Sequence, residues 1–241
     1  MRSSILLALW AATGAAALVT TVTLKYFPFA GAAEKVRLAL WLADVPFDDV
    51  RVPFSEWAAL KPTTPYGQVP VMQIDEGPYM SQSMAMMRWA AAQAPALYPP
   101  DKALDIEEAI GLCDDFVRAW APCIYIGMAP EGFGYSADFK GSDEHAATVQ
   151  ALRERFLANE LPKFCGFFAE RLAASGGPFV CGAAPTLADC YLVPELAKFG
   201  KGFIDHVPAT CLDAYPALTA YLAAFNELPQ VQAYARELEA K

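Results

Sequence analysis

The first 112 residues contain no cysteine, and the six beyond them (Cys113, Cys123, Cys165, Cys181, Cys190 and Cys211) form no Cys-x-x-Cys pair. This argues against a dithiol redox mechanism in the first half, which needs a nucleophilic thiol there. Histidine is scarcer still, with only His145 and His206, far apart and without zinc-ligand spacing, so no metal is expected. The cysteines fall mostly within apolar helical patterns, where buried free thiols are expected and a disulfide framework is not. Basic residues number 18 against 27 acidic ones, a net charge of −9, with no Lys/Arg run to hold a phosphate backbone. Nucleic acid is not an expected partner. Internal repeats and low-complexity tracts are also missing.

What is present is apolar mass. The 241 residues are 55% hydrophobic and 19% charged, which suits one large domain or two ordinary ones and excludes a disordered chain. Residues 3–24 carry no charge, and 13 of the 15 residues in 5–19 are apolar. With Arg2 ahead and Ala15-Ala16-Ala17 behind, residues 1–20 read as a hydrophobic leader or anchor, or as an extra terminal helix. The stretch 5–19 falls short of the ~20 residues of a spanning helix unless it borrows 20–24, which the neighbouring strand claims. The protein is read as cytoplasmic, with secretion or membrane anchorage through residues 1–20 as the alternative.

From residue 21 the pattern changes. Residues 21–26 are β-branched and aromatic, and Pro28 and Gly31 punctuate the loop after them. Val36, Ala39, Leu40 and Ala43 then mark a helix over 32–43, and 47–52 reads as a second strand. A short helix near 56–60, a strand at 69–74, a brief fourth strand at 79–80 and a helix over 81–92 complete a small α/β unit. Prolines in 95–101 make a linker. Beyond it helix succeeds helix. One begins near Ile106, with Leu112, Phe116 and Trp120 on one face and Ile110, Cys113 and Val117 on another. A long helix over 145–174 should kink at Pro162. Thr186-Leu187-Ala188-Asp189 reads as a capping box, and helices near 216–226 and 229–238 end the chain.

Four local features bear on chemistry. Pro70 enters a strand, either as an ordinary trans edge proline or with a cis bond that turns the Val69 amide outward to an extended ligand. Gln82-Ser83 starts a helix right after a strand, so its amides suit a carboxylate unless Ser81 or Ser83 simply caps it. Trp57 and Lys61 share a helix face and offer an indole N–H and an ammonium to a second carboxylate, or else pack and solvate. Tyr26 ends the first strand beside a loop, where its hydroxyl meets a ligand or merely packs.

In this order the features resemble a known family. From Leu24 to Ala92 the chain is similar to the N-terminal domain of glutathione transferases, in Leu24-Lys25-Tyr26-Phe27, Trp57-Ala58-Ala59-Leu60-Lys61, Pro65-Tyr66-Gly67-Gln68-Val69-Pro70-Val71 and Gln82-Ser83-Met84-Ala85. The family's all-helical domain is resembled in Leu161-Pro162-Lys163-Phe164, Phe179-Val180-Cys181-Gly182 and Thr186-Leu187-Ala188-Asp189-Cys190-Tyr191. The likeness spans residues 21–238 and is greatest to the sigma class.

The resemblance implies the glutathione transferase fold: a thioredoxin-like α/β domain over residues 21–94 and an all-α domain over 102–241. It implies glutathione as co-substrate and a small hydrophobic electrophile as its partner in reaction. Tyr26 would contact the sulfur, and Trp57 with Lys61 the glycine carboxylate. Gln68, Val69 and Pro70 would hold the cysteinyl backbone, and Gln82 with Ser83 the γ-glutamyl end. Asp115 would reach across a homodimer to the γ-glutamyl amine. Phe29, Phe116 and Trp120 would line the electrophile pocket. One departure stands out: where the sigma pattern has Arg-Gly-Arg, this chain reads Ala30-Gly31-Ala32. Conjugation or isomerisation by an enzyme, and ligand binding by a non-catalytic relative, are the competing expectations.

Overall fold

The computed structural model describes residues 20–239; apart from Thr20, the apolar leader lies outside them. Strand β1 (Val22–Tyr26) alternates buried Val22, Leu24 and Tyr26 with half-exposed Thr23 and Lys25, as one buried sheet face requires. It runs between β2 (Asp48–Arg51) and β3 (Val71–Ile74) in the order β2-β1-β3. β1 is parallel to β2, with Thr23 opposite Asp48 and Tyr26 opposite Arg51, and antiparallel to β3, with Lys25 opposite Val71. The parallel pair needs a crossover, which is α1 (Glu34–Leu42) entered through a tight turn at Gly31–Ala33. Ala33, Val36, Ala39 and Leu40 are fully buried along it.

The brief fourth strand is a correction. Only an isolated bridge between Met72 and Met80 forms there, with reciprocal bonds of 2.9 and 2.7 Å. Pro78 lacks an amide to extend the ladder, and α3 (Ser83–Gln93) begins shortly after Met80. The short α2 (Trp57–Leu60) precedes β3.

Helix α4 (Ala103–Met128) runs for 26 residues and buries Ile106, Ile110, Cys113, Phe116 and Trp120. The next helical stretch is α5 (Asp143–Arg155) and α6 (Leu161–Ser175), joined by one π turn at Phe156–Glu160. Pro162 explains that turn: it has no N–H, and its ring crowds the carbonyl of Ala158, so the ladder widens. α7 (Leu187–Ala197) packs on both α1 and α4, which joins the sheet-bearing part to the helical part. The expected capping box is present. Thr186 and Asp189 bond each other's amides, and Asp189, fully buried, also accepts from Val180 N and Tyr221 Oη. α8 (Pro216–Asn226) and α9 (Pro229–Glu239) end the described chain, and α9 packs back onto α1. No helix of the described residues is long and apolar enough to cross a membrane.

Candidate functional site

Tyr26 is the last residue of β1, and the strand's alternation sends its side chain inward, leaving 7% exposed. Its hydroxyl oxygen accepts the Ala32 amide at 3.1 Å, so the hydroxyl proton is not used in that bond. Gly31 makes the approach feasible. Its φ is +46°, and a Cβ there would lie 2.5 Å from the Tyr26 hydroxyl. Burial raises the phenol above its usual value, against smaller opposing pulls from the Ala32 amide and Arg37. Tyr26 is therefore a neutral donor at physiological pH.

Sequence reasoning misses Arg37. It is wholly buried, shares Nε between both Asp49 oxygens at 3.1 Å, and sends Nη1 to Glu34 and to the carbonyls of Ala30 and Phe29. Its guanidinium carbon stands 5.8 Å from the centre of the Tyr26 ring, and Nη2 has no partner among the described residues. The available signal is positional: Ala33, Arg37 and Leu40 form one helix stripe, so a charge sits where apolar residues belong.

The other N-terminal positions connect to Tyr26 through a chain of contacts. Phe27 lies 5.4 Å from the Tyr26 ring and 5.5 Å, edge-on, from Trp57. Lys61 caps α2 four residues after Trp57, exposed, its ammonium without a hydrogen bond among the described residues, and its stem passes Gly67. Beyond Gly67 comes exposed Gln68, then Val69, whose bond to Pro70 is cis. Neither the N–H nor the C=O of Val69 makes a backbone hydrogen bond among the described residues.

At the start of α3 neither serine caps the helix. The Ser81 hydroxyl donates to the Pro65 carbonyl at 3.1 Å, tying this helix start to the 65–70 loop. Gln82 takes a positive φ of 76° and is exposed, and its carbonyl receives the amides of Ala85 and Met86. The Ser83 and Met84 amides stay open, as helix geometry dictates for a first turn with no side-chain cap.

Two pocket residues are corrected. Phe116 is fully buried and Trp120 is 2% exposed, so neither lines an open pocket beside Tyr26. Their rings pack with Phe156 and Phe199 inside the helical core, with Phe164 and Phe168 also on Phe116. α4 is buried on two sides, and this stripe meets α6, the π turn and the end of α7. Phe29 is exposed and 5.3 Å edge-on from Tyr26. It stacks with exposed Phe54, which the sequence does not suggest. From the helical part, Tyr125 and Glu195 are close enough to raise the Tyr26 phenol electrostatically. Asp115 is exposed on α4 and pairs with Arg118 at 3.2 Å, while its neighbour Asp114 accepts the Tyr191 hydroxyl at 2.7 Å.

An aromatic rim, an inward phenol, open helix amides and a Lys61 ammonium unbonded among the described residues together suit a small ligand that carries an acidic group. Residues 31–93 match the family pattern of the glutathione S-transferase N-terminal domain, and residues 136–237 that of its C-terminal domain. The chain is 31% identical over 183 residues to Glutathione S-transferase 4 of Caenorhabditis elegans, covering 76% of this chain and 82% of that one. To Glutathione S-transferase 1 of Ascaris suum it is 28% identical over 218 residues, 89% of this chain and 95% of the relative. Among solved structures, prostaglandin synthase D of Nilaparvata lugens superposes with a TM-score of 0.73 at 26% identity, covering 90% of this chain and 97% of that one.

Proposed function

The chain belongs to the glutathione S-transferase family, and we propose that within it Tyr26 activates the glutathione thiol, as in a tyrosine-type, sigma-like member. The protein is a glutathione transferase. The glutathione sulfur bonds to an electrophilic carbon, the leaving group departs with the electron pair of its broken bond, and the thiol proton passes to solvent. Only the thiolate attacks, and a free thiol of pKa about 8.5 is a few per cent ionised at neutral pH. A neutral phenol that donates to the sulfur stabilises that anion. The observation that carries the reading is the Tyr26 hydroxyl, anchored on its acceptor side by Ala32 and left with its proton to give.

The remaining roles accord with the same placement. Lys61 and Trp57 hold the glycine carboxylate, Gln68, Val69 and Pro70 the cysteinyl backbone, and Gln82 with Ser83 the γ-glutamyl end. The last of these draws support from the open amides at the start of α3. In a homodimer, Asp115 of the partner subunit meets the γ-glutamyl amine. The electrophile is small and apolar and lies against Phe29, with Phe54 and Tyr125 in place of Phe116 and Trp120. We read the enzyme as cytoplasmic, with secretion or membrane anchorage through residues 1–20 as the alternative. Isomerisation through the same thiolate is the second reading.

The test is retention on immobilised glutathione and then conjugation of a haloaromatic electrophile. Tyr26→Phe should be retained like the wild type, while its turnover falls roughly 10–1,000-fold, the span covered by one proton-handling group or one donor to an anion. Turnover at the wild-type rate would make Tyr26 a packing residue. Light scattering should show a dimer; a fully active monomer would remove the role given to Asp115.

A further inference from the structure

We propose that Tyr234, on the C-terminal helix α9, is a positioning residue for Tyr26, acting through Glu34 and Arg37 on the loop that carries Ala32. The inference rests on the reading of Tyr26 as the thiol-activating donor.

Glu34 opens α1, where a carboxylate is favoured by the helix dipole. It makes no cap. Its Oε1 accepts the Tyr234 hydroxyl at 2.9 Å, and its Oε2 meets Arg37 Nη1 at 3.0 Å. The same Nη1 donates to the Ala30 carbonyl at 3.1 Å and the Phe29 carbonyl at 3.3 Å, and Nε is held by Asp49. Arg51 braces Asp49 from β2, so the guanidinium plane is set from both sides. The carbonyls it holds belong to the two residues before Gly31, and the next amide, of Ala32, is the one that anchors the Tyr26 hydroxyl. Each link is a hydrogen bond or ion pair between groups mostly withdrawn from water, where such networks are strongest.

Tolerance at the end of this chain is small. The Gly31 backbone lies so close that an added Cβ would fall 2.5 Å from the Tyr26 hydroxyl. A slight shift of the loop therefore changes the direction in which that hydroxyl donates. Tyr234 itself is fixed by ring packing on Trp41, with centroids 5.7 Å apart, which does not need the hydroxyl. Burial and the neighbouring Glu34 carboxylate raise the Tyr234 phenol, which keeps it a donor. Replacing Tyr234 by Phe thus removes the first link and leaves the helix packed.

The experiment is a double-mutant cycle on the full chain, read as kcat and as KM for glutathione. Tyr234→Phe should lower kcat about three- to thirtyfold, within the range of a small misplacement of a reacting group, with KM for glutathione changed less than about twofold. In the Tyr26→Phe background the same change should have no further effect, because the group it positions is gone. Glu34→Ala should repeat the pattern, since it removes the acceptor that both Tyr234 and Arg37 use. An unchanged kcat in Tyr234→Phe overturns the proposal, and so does an equal loss in both backgrounds, which would mark a general structural role. Wild-type turnover in Tyr26→Phe alone overturns the reading of Tyr26 and the relay with it. Impaired Tyr26→Phe beside unimpaired Tyr234→Phe overturns the relay only.

Discussion

The backbone amide of Ala32 donates to the Tyr26 hydroxyl at 3.1 Å, so this hydroxyl is held by the main chain and not by whatever side chain occupies position 32. The departure at Ala30-Gly31-Ala32 therefore removes positive charge without disturbing the geometry of the donor. Arg37, 5.8 Å from the Tyr26 ring and fully buried, is a positive charge that remains beside it. It is already committed to Asp49 and Glu34.

Gly31 should be intolerant of any side chain. At φ +46°, with a Cβ position 2.5 Å from the Tyr26 hydroxyl and 2.6 Å from the Phe29 ring, Gly31→Ala must displace the loop. The loop edge is exposed, so the fold should survive. Turnover should fall about 10- to 100-fold, as expected when a catalytic donor is misplaced by a fraction of an ångström to an ångström. Circular dichroism with steady-state kinetics checks this, and a Gly31→Ala protein with wild-type kcat would show that the loop does not set the donor.

Asp189 should matter for stability and not for chemistry. It accepts from Val180 N, Thr186 N, Thr186 Oγ1 and Tyr221 Oη at 3.1, 2.7, 3.0 and 3.1 Å, and is fully buried. Asp189→Ala would strand these donors in the core, at a cost of about 3–5 kcal/mol. For a chain of this size that corresponds to a Tm lower by about 6–20 °C. Thermal melting tests it; a drop under about 2 °C would mean the network contributes little.

Where the sequence is legible, the determinants are local. Val22, Leu24 and Tyr26 alternate, Thr186 and Asp189 stand three apart, and Pro162 disturbs its own helix, so each can be read from its neighbours. The misreadings come from partners that only the fold supplies. The Ser81 hydroxyl is taken by the Pro65 carbonyl, 16 residues earlier, and so does not cap α3. Arg37 makes sense only once β2 brings Asp49 beneath it. Phe116 and Trp120 show why a helix buried on two sides misleads: periodicity marks both faces as apolar but does not say which neighbour each will meet. Their stripe meets Phe156 and Phe199.

The pH dependence of turnover should separate the thiol from the phenol. Burial raises the Tyr26 phenol above its ordinary value of 10, and the neutral form is the donor. The donor is thus present at every pH below that point and is lost only as pH rises through the elevated value. The rate should accordingly climb with the ionisation of the bound thiol, on a limb that starts from a free-thiol pKa of about 8.5 and is moved down by the hydroxyl. No falling limb due to Tyr26 should occur below pH ~10. Position 32 is exposed, so an arginine there can be accommodated without desolvating. Ala32→Arg should shift the rising limb to lower pH by roughly one unit, the effect of a nearby positive charge worth about 1.4 kcal/mol. Single-turnover rates from about pH 5.5 to about pH 10 would trace the rising limb and check that no fall precedes its end. A limb unmoved by Ala32→Arg would mean that a cation at this position does not act on the sulfur, and that the alanine there costs the enzyme nothing.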